Sequence, residues 1–215
     1  RLGYVMNQRI YAYISDGGIQ EEISQGSGRI AGTLGLDNLV MFYDSNRIQL
    51  STETAAVDNE DVAAKYRAWN WKVIEIDGND VVQIRAALDE ALTVVGQPVL
   101  IIGNTVMGKG ALRADGSSYE NCCATHGAPL GGEAYTNTIK ALGGDVENPF
   151  AIFPETEAIY SSRREELKGI VAARKAAEAK WAAENPELAA KKAKWFSGEA
   201  PEVDWRSNQQ KRDDS

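Results

Sequence analysis

Two apolar runs, Ile10–Ile14 and Leu39–Tyr43, each end in a turn that carries a hard oxygen donor. The first run opens into Ser15-Asp16-Gly17-Gly18, the second into Asp44-Ser45-Asn46-Arg47-Ile48. Short apolar runs followed by helical patterns read as strands of a parallel sheet. In an open α/β sheet, ligands bind beyond the carboxyl ends of the strands. Asp16 and Asn46 are therefore expected at that edge, on neighbouring strands. Each turn alone is a common one. Together they place a carboxylate and an amide oxygen where a small divalent cation could hold a phosphate ester.

The rest of the chain supports an α/β reading. Residues 9–15 read as a buried strand. Residues 19–35 read as a helix with Ile19, Ile23, Ile30 and Leu34 inward and Gly35 as its stop. Residues 39–44 form the second expected strand. A polar loop runs to about Val57, before a helix carrying Val62, Tyr66 and Trp69. Lys72–Ile76 is the third strand, Val81–Val95 a helix patterned by Ile84, Leu88 and Leu92, and Pro98–Gly103 the fourth strand. Alternating strands and helices predict a parallel sheet flanked by helices. Residues 104–150 are glycine-rich and read as irregular. Glu155–Glu184 reads as a long helix. Asn185-Pro186 breaks it, with Asn185 the expected N-cap and Pro186 the first residue of a second helix.

Charge separates these regions. The net charge of the 215-residue chain is −8, and all of it resides before Glu155, because the later acids and bases balance. An acidic surface disfavours nucleic acid and anionic membranes as partners. The expected organisation is an α/β domain over 1–154, a helical arm over 155–205 and a polar tail over 206–215. Cys122 and Cys123 are the only cysteines and adjoin one another, so they cannot staple the fold. A reducing, cytoplasmic setting is expected. No apolar run approaches the roughly 18 residues that span a bilayer, and no signal peptide is visible. The chain opens without Met, as a piece cut from something longer would.

If the two turns hold a metal, Asp16 supplies a carboxylate oxygen and Asn46 an amide oxygen. Ile48 has only its main-chain carbonyl to give. Two oxygens of a diphosphate and one water would complete an octahedron, the arrangement Mg²⁺ prefers. Gly17 and Gly18 leave room for backbone N–H groups to approach a phosphate.

Ser15-Asp16-Gly17-Gly18, followed thirty residues later by Asn46, resembles the thiamine diphosphate motif. Ala31-Gly32-Thr33-Leu34-Gly35-Leu36, Phe42-Tyr43-Asp44-Ser45-Asn46, Ile76-Asp77-Gly78-Asn79-Asp80 and His126-Gly127-Ala128-Pro129-Leu130 narrow the resemblance to the transketolase family. It covers about residues 4–155, and the helical arm to about Trp205 resembles the segment that follows in that family. The resemblance implies the diphosphate-binding part of a thiamine diphosphate-binding fold, incomplete at its start. It implies thiamine diphosphate and Mg²⁺ (or Ca²⁺ or Mn²⁺) as cofactors, sugar phosphates as substrates, and a homodimer or a complementary pyrimidine-binding domain as partner.

By position, the resemblance makes Asp16, Asn46 and the Ile48 carbonyl the metal ligands. It makes Gly17, Glu21, Asn46, Leu50, Met107 and His126 cofactor contacts, with His126 also the candidate catalytic residue. By residue type alone, Glu21 reads as a solvated carboxylate, Met107 as core filler and His126, the sole histidine, as a structural loop residue. The sequence departs from the family at Ser15, where glycine is usual, and at Gly26, where an acid is usual. The stretch from Met107 to His126 is longer than the family's. The glutamate that activates the cofactor in that family matches nothing here, so the isolated chain is expected not to turn over. A non-catalytic cofactor-binding or assembly module, or part of another thiamine enzyme such as deoxyxylulose phosphate synthase, are the alternatives.

Overall fold

The computed structural model describes residues 8–200, which fall into two compact units, one ending at Ile152 and the other beginning at Phe153. The stretch read as a polar tail, 206–215, lies outside the described residues. The first unit is built on four parallel strands: β1 (Ile10–Ser15), β2 (Leu39–Ser45), β3 (Lys72–Asp77) and β4 (Val99–Asn104). Their spatial order is β1-β2-β4-β3. Ser15 lies opposite Asp44, and Ser45 opposite Asn104, so the strand ends are flush at the carboxyl edge.

β4 is interior to the sheet, and Val99 to Gly103 are all buried, as a strand covered on both faces requires. β1 is an edge strand, and here the reading of a buried strand is corrected: Ile10, Tyr11 and Tyr13 are exposed. One face of the sheet is covered by α1 (Asp16–Gln20), α2 (Glu22–Thr33) and α3 (Val62–Ala68), around Ile19, Ala31, Met41, Tyr43, Tyr66, Trp71, Leu100 and Ile102. The other is covered by α4 (Val81–Thr93), around Val40, Ile76, Ala87, Ala91, Val99 and Ile101.

The expected 19–35 helix is two helices. α1 begins at Asp16, capped by the Ser15 hydroxyl, which accepts from the Gly18 N–H at 3.4 Å. The chain turns extended at Glu21, and α2 follows. Ile19 is buried as expected, but Ile23, Ile30 and Leu34 face out, and Gly28, Ala31 and Gly32 face in. Close approach decides this. A Cβ on Gly32 would lie 1.7 Å from the Trp69 carbonyl oxygen, and the Trp71 indole donates to the Gly28 carbonyl at 2.8 Å. Larger residues on that face would push the helix off α3. In α4 the same preference appears: Ala87 and Ala91 are buried, Ile84 and Leu88 half-buried, and Leu92 exposed.

Residues 104–150 are less irregular than the sequence suggests. They contain α5 (Cys123–Gly127) and α6 (Gly132–Ala141), and an isolated bridge pairs Leu112 with Ser118. α6 escapes a pattern reading because only Thr138 of it is buried. The second unit consists of α7 (Pro154–Glu184) and α8 (Pro186–Phe196), joined by a Lys192–Glu178 ion pair. Pro186 opens α8, but Asn185 is not its side-chain cap. The Asn185 amide donates back to the Trp181 carbonyl at 3.0 Å and closes α7 instead. Among the described residues no helix is long and apolar enough to cross a membrane.

Two substitutions test this packing. Gly32→Ala should destabilise the chain by about 3 kcal/mol in urea unfolding, because the backbone at Trp69 must give way; an unchanged midpoint contradicts the close approach. Tyr66 is fully buried, its hydroxyl has no hydrogen-bond partner among the described residues, and burial pushes its phenol up to about 12 from 10.0. A raised phenol favours the protonated folded state, so its contribution is intact below pH ~10 and is lost as pH rises toward ~12. Tyr66→Phe should add about 1 kcal/mol at pH 7 by removing the unsatisfied hydroxyl. It should also flatten the loss of stability between pH 10 and 12.

Candidate cofactor site

The Asp16 carboxylate is only 2% exposed and lies at the first residue of α1, where β1 ends. Three donors converge on it. The Tyr43 hydroxyl donates to Oδ1 at 2.7 Å, and the N–H groups of Asn46 and Arg47 donate to Oδ2 at 3.0 Å each. Among the described residues no cation pairs with it. Three hydrogen-bond donors face the buried carboxylate, which costs far less than leaving it bare. Arg47 sits at φ 63°, the left-handed region, which brings two successive N–H groups onto one oxygen.

The same turn continues to Asn46 and Ile48. The Ile48 N–H donates to Asn46 Oδ1 at 3.0 Å, so Asp16, Asn46 and Ile48 form one hydrogen-bonded chain. A short hairpin flanks Ile48, with Gln49 N–H to the Thr52 carbonyl at 2.8 Å and Thr54 N–H to the Arg47 carbonyl at 2.9 Å. Those bonds leave the Ile48 carbonyl outside the ladder. All three residues line a cleft of about 870 Å³ at the sheet's carboxyl edge, together with Tyr43, Asn104, Thr105 and Asn121. Glu53, Asp58, Glu60, Asp61 and Glu75 also line it, and Arg47 is the one basic residue among the described lining.

A second pocket, of about 580 Å³, shares Asn46 and Thr105 with the cleft and is walled by Met107, Val106, Ile84, Phe42 and Tyr13. Asp44 sits in it. Its Oδ2 accepts from the Tyr13 hydroxyl at 2.6 Å, and its Oδ1 accepts from the Thr105 hydroxyl. Tyr13 of β1 thus reaches Asp44 at the end of β2, while Tyr43 of β2 reaches Asp16 at the end of β1. Burial, with the Asp16 hydrogen bond behind it, holds the Tyr43 phenol well above its usual range. Loss of water around the Tyr13 hydroxyl, then the Asp44 hydrogen bond, pushes that phenol up to about 12.

The other expected site residues are placed less closely. Gly17 is exposed, a Cβ built on it would meet nothing within 4 Å, and it lines neither pocket. Glu21 is exposed at the break between α1 and α2 and lines neither pocket. Leu50 is exposed and lies against the turn after His126: a Cβ on Gly127 would come within 2.8 Å of its Cδ1. His126 is exposed near the end of α5, lines neither pocket, and its side chain makes no hydrogen bond among the described residues. Sequence reasoning missed Tyr43, Asp44, Tyr13 and Thr105. The only available signal was that Tyr43 and Asp44 belong to the string that carries Asn46.

The donor set suits a hard cation. Among the described residues no three His, Cys, Asp or Glu side chains gather into a metal cage. A cation here would rest on one carboxylate, one amide oxygen and one carbonyl, so it would need further oxygens from a ligand or water. The chain matches the family described as "Transketolase, thiamine diphosphate binding domain" over residues 3–201. It is 35% identical over 211 residues to Transketolase 2 of Escherichia coli, covering 96% of this chain and 30% of that protein. The transketolase of Leishmania mexicana aligns with TM-score 0.81 and 30% identity over 90% of this chain and 28% of its own. A Pichia stipitis transketolase, solved in complex with sedoheptulose-7-phosphate, aligns with TM-score 0.80 and 28% identity over 94% of this chain and 31% of its own. The chain therefore spans about 30% of the length of the relatives it matches, and it belongs to the transketolase family, in its thiamine diphosphate-binding domain.

Proposed function

We propose that this chain is the diphosphate- and metal-binding portion of a transketolase. The parent enzyme moves a two-carbon ketol group from a ketose phosphate to an aldose phosphate, in the cytoplasm, as a homodimer. The single observation that carries the reading is the hydrogen-bonded chain Asp16–Asn46–Ile48 at the sheet's carboxyl edge. Residues 1–154 hold the cofactor's diphosphate end, and residues 155–205 form the arm toward the pyrimidine-binding part.

The residues fit the group. Asp16 Oδ2 already accepts two N–H groups, which leaves Oδ1, with one accepted bond, as the oxygen free to meet a cation. Asn46 Oδ1 accepts one bond and keeps a second lone pair. The Ile48 carbonyl completes the set, with Mg²⁺ as the favoured ion and Ca²⁺ or Mn²⁺ as substitutes. Gly17, whose Cβ position is uncrowded, is assigned the backbone contact to a diphosphate oxygen. Met107, which lines a pocket together with Asn46, is assigned the apolar contact to the cofactor's thiazolium. Glu21 and Leu50 are assigned peripheral cofactor contacts, and His126 a role in positioning phosphate or moving a proton at the substrate channel. When bound, thiamine diphosphate supplies the carbon nucleophile that the protein's own side chains lack. The complementary pyrimidine-binding half is the partner that makes it reactive, and the isolated chain does not turn over.

An acidic cleft repels a bare diphosphate, so the metal must supply the positive charge. Calorimetric titration of thiamine diphosphate into the chain should show binding only with Mg²⁺, and Asp16→Ala should abolish it. Binding indifferent to both metal and Asp16 contradicts the reading.

A further inference from the structure

We propose that the Arg47 guanidinium binds the diphosphate oxygens that the metal leaves uncovered; this rests on the metal site proposed above. Arg47 stands between Asn46 and Ile48 in sequence and lines the same cleft as Asp16. It is the one basic residue in the described lining, among Glu53, Asp58, Glu60, Asp61 and Glu75. It nevertheless forms no ion pair among the described residues. Four of those carboxylates have other partners. Asp58 and Asp61 accept from the Glu60 and Ala64 N–H groups at 2.9 Å each, Glu60 pairs with Lys65, and Glu75 pairs with Arg67 at 2.6 Å. The described lining thus keeps one cation uncommitted.

The backbone supports the same assignment. Arg47 has a φ of 63°, and the other non-glycine residues with positive φ among the described ones are Asn70 and Asn121, the type that tolerates this region. A long side chain there is strained, and such residues cluster at ligand sites. The Arg47 N–H donates to Asp16 Oδ2 at 3.0 Å, and its carbonyl accepts from the Thr54 N–H at 2.9 Å. Both bonds belong to the main chain, so glycine would keep them with less strain. The side chain is therefore the part of Arg47 that the turn does not require. A guanidinium offers phosphoryl oxygens a planar fork of donors and a permanent charge. Among these carboxylates it also offsets the repulsion that a polyanion meets beyond its metal.

The test titrates the Mg²⁺ complexes of thiamine diphosphate and of inorganic diphosphate into the full chain by calorimetry, with urea midpoints alongside, for wild type, Arg47→Gly and Arg47→Lys. Arg47→Gly should weaken both ligands about 10-fold or more, because a charged hydrogen-bond donor is lost, while its urea midpoint stays at or above that of wild type. A purely structural residue would lose stability and binding together. Arg47→Lys, which keeps the charge but not the fork, should lose less, and the advantage of wild type over Arg47→Gly should shrink as salt rises. A loss in Arg47→Lys as large as in Arg47→Gly, a loss confined to thiamine diphosphate, a loss that salt does not diminish, or a midpoint that falls along with binding overturns the assignment. If wild type binds neither ligand, the metal-site reading itself fails and this assignment falls with it. If wild type binds and Arg47→Gly matches it, this inference alone fails.

Discussion

A buried carboxylate with no counter-ion among the described residues organises the functional edge of this protein. Asp16 exists in the interior because three donors meet it, and two features of the fold deliver them. The parallel pairing of β1 and β2 brings Tyr43 within reach. The left-handed residue at Arg47 turns two N–H groups toward one oxygen. The same turn aims the Asn46 amide at the Ile48 N–H, and the hairpin beyond it keeps the Ile48 carbonyl out of the ladder. Removing the carboxylate would leave three donors unpaired at once, so the geometry of the cleft and the stability of the loop share one origin.

The electrostatics follow from the same arrangement. The cleft holds several carboxylates and one guanidinium among its described lining residues. Such a surface rejects a free polyanion and accepts one only together with a cation. The tyrosine–aspartate pairs add a second level of order. Tyr13 to Asp44 and Tyr43 to Asp16 cross between the same two strands in opposite directions, and Thr105 ties the segment after β4 to Asp44. The carboxyl edge is therefore cross-linked by hydrogen bonds on both sides of Asn46. A loop held in this way keeps its oxygens oriented before any ligand arrives.

Much of the sheet was legible in the sequence, because Ile10–Ile14, Leu39–Tyr43 and Val99–Ile102 are apolar runs of strand length with turn chemistry at their ends. The juxtaposition of Asp16 and Asn46 was legible for the same reason, since consecutive strands of like direction bring their ends together. The inner faces of the helices were not. Hydrophobicity favours Ile23, Ile30 and Leu34 as core residues, yet all three are exposed. The α2 interface is set by backbone approach at Gly28 and Gly32, which side-chain patterns do not report. Tyr43 and Tyr13 read as ordinary strand aromatics, because a hydroxyl's partner depends on strand register rather than on local sequence. Glu21 and His126 were named from resemblance alone, and nothing in their own surroundings distinguishes them from solvated surface residues.

The central claim is that one buried carboxylate, one amide oxygen and one main-chain carbonyl together hold a metal–diphosphate pair. Anomalous diffraction from crystals grown with Mn²⁺ and thiamine diphosphate tests it most directly. The account predicts one Mn²⁺ peak bonded to Asp16 Oδ1, Asn46 Oδ1 and the Ile48 carbonyl, with diphosphate oxygens completing its shell. A peak that avoids Asp16, or cofactor density in the cleft with no metal beside it, would contradict the account.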